Sequence, residues 1–236
     1  MTDYLLMVAD DESAHASESP KAMAELIEKR AAFVDGLRRG GQLRDSGRLR
    51  PSKEGRRIRL LDGRVDVQAG PFLGDGKALG AYYWVAVRDL DEAAELAAAC
   101  PRLAADEVDV RPVMKGSAAV EKETKPGKLF ACAVLGNAPT EEAWVNVMDR
   151  IDTETNPSHA AGFLGGLRLE APTTGKRVQT RGERRALFDG PFLESKEVIG
   201  GLIFLRTTDM EEALRWAAAT RFIVHGTLEL RELWRT

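Results

Sequence analysis

Cysteine is scarce in this chain of 236 residues: Cys100 and Cys132 are the whole supply. Each sits inside an apolar segment, so no disulfide framework is implied. Histidine is almost as rare, and His15, His159 and His225 share neither spacing nor repeat position. With no cluster of cysteines beside them they make no metal motif, and neither metal nor cofactor is expected. Long apolar runs are missing too. The stretch Tyr4–Ala9 is strand-length and gives way at once to Asp10-Asp11-Glu12, which is not the profile of a secretory signal or a membrane span. A cytoplasmic location without a membrane partner is therefore expected. An excess of basic charge is also lacking: 34 Lys and Arg stand against 37 Asp and Glu. That balance speaks against nucleic acid as the main partner.

What is present is a repeat. Gly70-Pro71-Phe72-Leu73 returns as Gly190-Pro191-Phe192-Leu193, 120 residues later, and the alignment runs without a gap from Gly55/Gly175 to Val113/Leu233. Gly80 falls on Gly200, Asp89 on Asp209, and Arg111 on Arg231. The expected organisation is a first repeat over residues 1–114, a linker over 115–127 containing Pro126-Gly127, and a second repeat over 128–236. Each repeat is large enough for its own core, and two related folds in one chain can pack as a built-in dimer.

Each repeat reads as alternating elements. In the first, residues 4–9 form a strand, and Ser19 caps a helix with Pro20 at its first position. Met23, Leu26, Ile27, Val34 and Leu37 mark its inner face, and Gly40-Gly41 stops it. Residues 56–61 and 64–68 form a hairpin around Asp62-Gly63. Leu79–Val87 is a strand with apolar groups on both faces, hence central. Asp89 opens a second helix, Pro101 ends it, and Glu107–Val113 is the last strand. The second repeat follows the same order through 129–135, a helix marked by Trp144, Val147, Met148 and Ile151 that Asn156-Pro157 shortens or kinks, a hairpin over 177–180 and 184–188, a strand at 199–207, a helix capped by Asp209, and a strand at 227–234. The expected fold is α+β: two ferredoxin-like repeats, βαββαβ with an extra hairpin, pairing through their sheets as a pseudo-dimeric α/β barrel.

The motifs resemble the YCII-related family in its DGPF-domain branch. The residues that carry the likeness are Asp189-Gly190-Pro191-Phe192-Leu193-Glu194-Ser195-Lys196-Glu197, the helix start Asp209-Met210-Glu211-Glu212-Ala213, and in the first repeat Gly70-Pro71-Phe72 with Glu107-Val108-Asp109-Val110-Arg111-Pro112-Val113. The resemblance implies ferredoxin-like domains paired through their sheets, and relatives that include small metal-free lyases, isomerases and dehalogenating enzymes. An association with transcriptional control is implied as well. A helix histidine that works with an aspartate in such relatives falls at Arg30 here and Arg150 in the second copy, so that dyad is not carried over.

The candidate residues follow. Asp189 and Glu194 are the carboxylates that could act as general base, with Lys196 beside them to hold an anion. Turn chemistry explains Asp189 without catalysis, whereas a turn requires neither Glu194 nor Lys196. Arg111 and Arg231 could clamp a carboxylate or phosphate; an ion pair with a neighbouring acid is the simpler reading. Tyr82 and Trp84 could line a cleft between the sheets or belong to the core. Arg30 and Arg150 read as residues of solvated helix faces. Two functions remain open: a small-molecule binding or sensing module, with a protein partner tied to transcription and a further homodimer as its associations, or a cofactor-free lyase or isomerase working by carboxylate acid/base catalysis on a small anionic substrate.

Overall fold

The computed structural model describes residues 1–72, 77–103, 106–117, 126–136, 144, 162–181, 184–189, 198–220 and 222–234. The architecture is α+β, with two six-stranded antiparallel sheets. The chain divides into two compact units, and these are not its contiguous halves. One comprises Met1–Arg48, Leu73–Val113 and Pro172–Phe192; the other comprises Leu49–Phe72, Met114–Ala171 and Leu193–Thr236. Each repeat keeps its own body and gives its hairpin to the other's sheet.

In unit 1, β1 (Thr2–Asp11) leads through the short α1 (Glu12–Ser17) into α2 (Pro20–Arg39), then β2 (Leu43–Arg48). The chain leaves to form β3 (Arg56–Leu61) and β4 (Arg64–Ala69), and returns as β5 (Lys77–Val87), α3 (Leu90–Ala99) and β6 (Glu107–Pro112). Unit 2 holds β7 (Lys128–Gly136), β8 (Phe163–Arg168), β11 (Val198–Thr207), α4 (Met210–Ala219), α5 (Phe222–His225) and β12 (Thr227–Glu232), while β9 (Lys176–Arg181) and β10 (Arg184–Asp189) join unit 1. The sheet orders are β10-β9-β6-β1-β5-β2 and β4-β3-β12-β7-β11-β8.

The expected hairpins form where the sequence placed them. Asp62 and Gly63 both take positive φ, 49° and 75°, the pair of conformations a two-residue hairpin turn needs. Their destination is the surprise, and the repeated sequence explains it. At one seam Arg177 lies opposite Asp109 and donates to it at 2.6 and 2.9 Å. At the other, Arg57 lies opposite Glu229 and donates at 3.0 Å. The neighbouring pairs, Val178 with Val108 and Ile58 with Leu228, are buried and apolar. Cross-strand pairs of this kind fix register, so both seams are encoded by residues of the same kind at the same repeat positions.

The helix caps behave as expected. Asp89 and Asp209 accept from the amides of Glu92 and Glu212 at 2.9 and 2.8 Å. Those glutamates reach back to the amides of Arg88 and Thr208, one residue earlier than the usual reciprocal cap. β2 and β8 were not anticipated. Their sequences, LRDSGR and FLGGLR, lack the alternation that announces a strand. In the first helix of the second repeat only Trp144 is described; it is helical and buried, and its indole donates to the Leu169 carbonyl at 2.9 Å. Val147, Met148, Ile151 and the Asn156-Pro157 break lie outside the described residues.

Candidate functional site

The acid run at the end of β1 does three jobs in succession. Asp11 caps α1, its Oδ1 accepting from the amides of Ser13 and Ala14 at 3.0 and 2.9 Å and from the Ser13 hydroxyl at 2.6 Å. That cap starts a single turn and a half of helix, which carries His15 back over the strand end. The amide of Asp11 donates to Asp106 Oδ1 at 2.9 Å, and the Leu103 amide donates to Asp106 Oδ2 at 2.9 Å. Asp106, at the entrance to β6, is thereby fixed by main-chain donors from two sides. His15 Nε2 lies 3.1 and 3.0 Å from its two oxygens.

Asp10 turns toward α2 and meets Arg30. The guanidinium donates to Asp10 Oδ1 at 2.8 Å and Oδ2 at 3.4 Å, and its Nε donates to the Pro101 carbonyl at 3.1 Å. The two pairs adjoin: His15 Nε2 is 3.7 Å from Asp10, and Arg30 is 3.8 Å from Asp106. Space for Asp10 comes from a bulge in β5, where register shifts between Val8 and Ala9. Gly80 occupies the extra position, and a Cβ there would stand 1.9 Å from Asp10 Oδ2.

Burial governs the electrostatics. The side chain of Asp106 has no exposed surface and that of Arg30 only 5 %, while His15 and Asp10 keep 14 % and 12 %. Desolvation raises the Asp10 pKa, and the Arg30 charge only partly opposes it. His15 is pulled down by its burial, but its hydrogen bond to Asp106 and the charges of Asp10 and Asp106 outweigh that, so its pKa is raised. Arg30 is raised by Asp10 against its own desolvation. Arg48, half-buried nearby, is lowered by desolvation and then by Arg30.

With Nε2–H engaged by a carboxylate, the neutral imidazole carries its lone pair on Nδ1. The group can therefore accept a proton at Nδ1, with two carboxylates stabilising the cation that results and Arg30 balancing one of them. Asp10, His15 and Asp106 also offer ligand atoms within 4.8 Å of one another. A cation there would have to compete with Arg30 for Asp10 and with His15 and two amides for Asp106.

This overturns the reading of Arg30 as a solvated residue. It lies in the buried stripe Leu26, Arg30, Leu37 of α2, whereas Ile27, expected inside, is 42 % exposed. A histidine–aspartate pair is present after all, drawn from other positions. The sequence signal for Asp106 was a departure inside the ungapped repeat, where Gly226 stands at its place. Asp10 is matched by register to Gly136, since Asp10 pairs with Ala78 and Gly136 with Val198.

The residues singled out from sequence are scattered. Asp189 ends β10 opposite Lys176 and is exposed. Glu194, Lys196 and Arg150 lie outside the described residues, as does His159. Tyr82 and Trp84 are buried on the face of β5 away from α2 and α3; Tyr82 donates to Asp45 at 2.9 Å and Trp84 to Asp3 at 3.1 Å. Burial, then the Asp45 charge, holds the Tyr82 phenol well above its ordinary range. Arg231 is buried, donates through Nε to the Arg50 carbonyl at 2.7 Å, and lies 3.3 Å from Glu229. Both repeat arginines abut the glycine that follows a one-turn 3-10 helix: a Cβ on Gly55 would sit 2.8 Å from Arg231 Cδ, and one on Gly175 would sit 2.8 Å from Arg111 Cδ. They stand where each exchanged hairpin begins.

The model of the YCII-related domain matches this chain twice, over residues 3–117 and 155–236. The chain belongs to the YCII-related domain family. The two matches agree with a tandem duplication, so this is a YCII-related protein with two copies of the domain. No curated protein matches it. Among solved structures it is similar to a chlorite dismutase candidate, TA0507, at 10 % identity and a TM-score of 0.41, covering 100 % of this chain and 96 % of that one. It is also similar to an anthrone oxidase-like protein at 9 % identity and a TM-score of 0.40, covering 99 % and 92 %. Likeness of that order says nothing about what this YCII-related protein does. No helix among the described residues is long and apolar enough to cross a membrane.

Proposed function

We propose that this protein is a small-molecule binding module with a proton-transfer site, built in unit 1 by Asp10, His15, Arg30 and Asp106. The observation that carries the reading is His15 held through Nε2 by an aspartate that two main-chain amides already orient. In that arrangement Asp106 positions the ring and His15 Nδ1 takes the proton. Asp10 lowers the energy of the imidazolium, and Arg30 partly offsets the burial that opposes the Asp10 charge. The ligand class is a small organic anion bearing an acidic proton, and the chemistry a cofactor-free lyase or isomerase step.

The finer architecture belongs to the same proposal. Each repeat is read as a ferredoxin-like domain. The order β6-β1-β5-β2 with α2 and α3 as connections supports it.

Thermal-shift screening with small carboxylates and phenols tests the site. Hits should stabilise the wild-type chain and lose their effect in His15→Gln and Asp106→Asn. Hits that shift both variants as they shift wild type would place binding elsewhere and remove the reading.

A further inference from the structure

The hairpin β3–β4 carries an apolar stripe one aliphatic pair longer than that of its copy, where Leu187 and Phe188 are exposed. On one face of it Ile58 lies opposite Val67 and Leu60 opposite Val65. Ile58 is buried in the core of unit 2, but Leu60, Val65 and Val67 are 39 %, 48 % and 47 % exposed. In the other hairpin Val178 lies opposite Leu187, and the pair corresponding to Leu60 and Val65 is Thr180 and Arg185. The two hairpins share their seam residues and their turn position, so the fold does not require the extra aliphatic pair. β4 is also the terminal strand of its sheet, open along its outer edge among the described residues. An exposed edge with aliphatic side chains is a template for another strand.

We propose that β4 is a homodimer interface, pairing antiparallel with β4 of a second copy of this chain around a two-fold axis at Val67. Charge and pleat select both partner and register. Residues directly opposite point to the same face, so registers that keep the aliphatic stripe continuous differ by steps of two. A two-fold at Asp66 would set that carboxylate, which accepts from Arg59 Nε at 3.0 Å, against its own copy. A two-fold at Val67 sets Val67 against Val67, Val65 against Ala69, and Asp66 against Gln68, whose amide can donate to it. The strand is self-complementary in this register, and a two-fold contact requires that. The pairing joins two copies of the unit 2 sheet into one continuous sheet.

Cysteine scanning tests this in the full chain. Across an antiparallel pair, opposed Cα atoms lie about 4.5–5.5 Å apart, within disulfide reach. Cys100 and Cys132 are buried, so an introduced thiol is the accessible one. Val67→Cys should oxidise to a covalent dimer, whereas Val65→Cys, opposite Ala69, and Leu187→Cys, on the edge of the other sheet, should not. Wild type should have twice the chain mass by light scattering, and Val67→Lys should be monomeric with an unchanged circular dichroism spectrum. A wild-type monomer at every concentration reached, or equal cross-linking at all three positions, overturns the proposal.

Discussion

Units 1 and 2 follow one strand plan, yet among the described residues only unit 1 gathers two acids, a histidine and an arginine at the ends of its central strands. The correspondence is close. Both sheets place four strands of one repeat beside the hairpin of the other, both have a register shift at the same glycine position, and both seams use an arginine–acid pair. At the ends of the two central strands they part: Asp10 and Asp106 stand in unit 1, Gly136 and Gly226 in unit 2. The fold therefore does not need the acids. Buried charges are costly wherever they are not needed, and at these two strand ends unit 2 has glycine instead. That contrast is the best argument that the cluster is kept for chemistry.

The sharpest way to break the comparison is to remove one partner of the Asp10–Arg30 pair. Arg30→Met leaves a carboxylate buried without its cation and should cost about 3–5 kcal/mol; Asp10→Asn strands the guanidinium to similar effect. The double variant should recover most of the loss, because the pair and not either charge is what the packing tolerates. Hydrogen exchange read by mass spectrometry locates the damage. Protection should fall in β1, β5 and β6 while β7, β11 and β12 keep theirs. Equal loss in both sets would mean that the units do not respond separately.

A second test asks whether unit 2 could regain the site. A Cβ on Gly136 would meet no heavy atom within 4 Å, whereas one on Gly226 would stand 2.1 Å from the Leu135 carbonyl oxygen. Gly136→Asp should therefore stay within about 0.5 kcal/mol of wild type. Gly226→Asp should cost about 1–3 kcal/mol, because main chain has to move. Chemical denaturation of the two variants checks this. If both are tolerated, the backbone of unit 2 leaves room for both acids.

Much of the fold was legible, because it rests on local signals. Ser19, Asp89 and Asp209 announced helix starts, and Asp62-Gly63 announced a turn that takes the φ values it needs. β2 was invisible because an edge strand with a polar sequence carries no period. The hairpin exchange was illegible for another reason. Arg57 and Arg177 could be seen to recur, but not that their acids, Glu229 and Asp109, belong to the other repeat. The site lies where the copies differ, at Asp10 and Asp106 against Gly136 and Gly226, and so outside the shared motifs. Gly-Pro-Phe drew attention to a turn, and a Cβ on Gly70 would lie 1.9 Å from the Ser52 carbonyl oxygen, so close approach explains that glycine. Arg30 was read by its charge, although it stands four residues after Leu26, in line with the buried face.

The smallest expected effect concerns pH, and it separates the units most cleanly. The folded pKa of His15 is raised above its ordinary value of 6.5. A raised pKa means that the folded state holds the proton more tightly than the unfolded chain. The resulting stability is fully present below pH ~6.5 and disappears as pH rises through the folded value. His15→Gln should thus be less stable than wild type at pH 6, by about 1 kcal/mol, and the gap should close by about pH 9. Asp10, whose pKa is also raised, feels the His15 charge, so the difference reports the imidazole together with its coupling to Asp10. Hydrogen exchange at the two pH values assigns it. The change should appear in peptides of β1 and β6 and be absent from β7 and β12, which end at Gly136 and begin after Gly226. A gap that stays constant with pH would mean that His15 contributes packing alone, and the proton-transfer reading would lose its base.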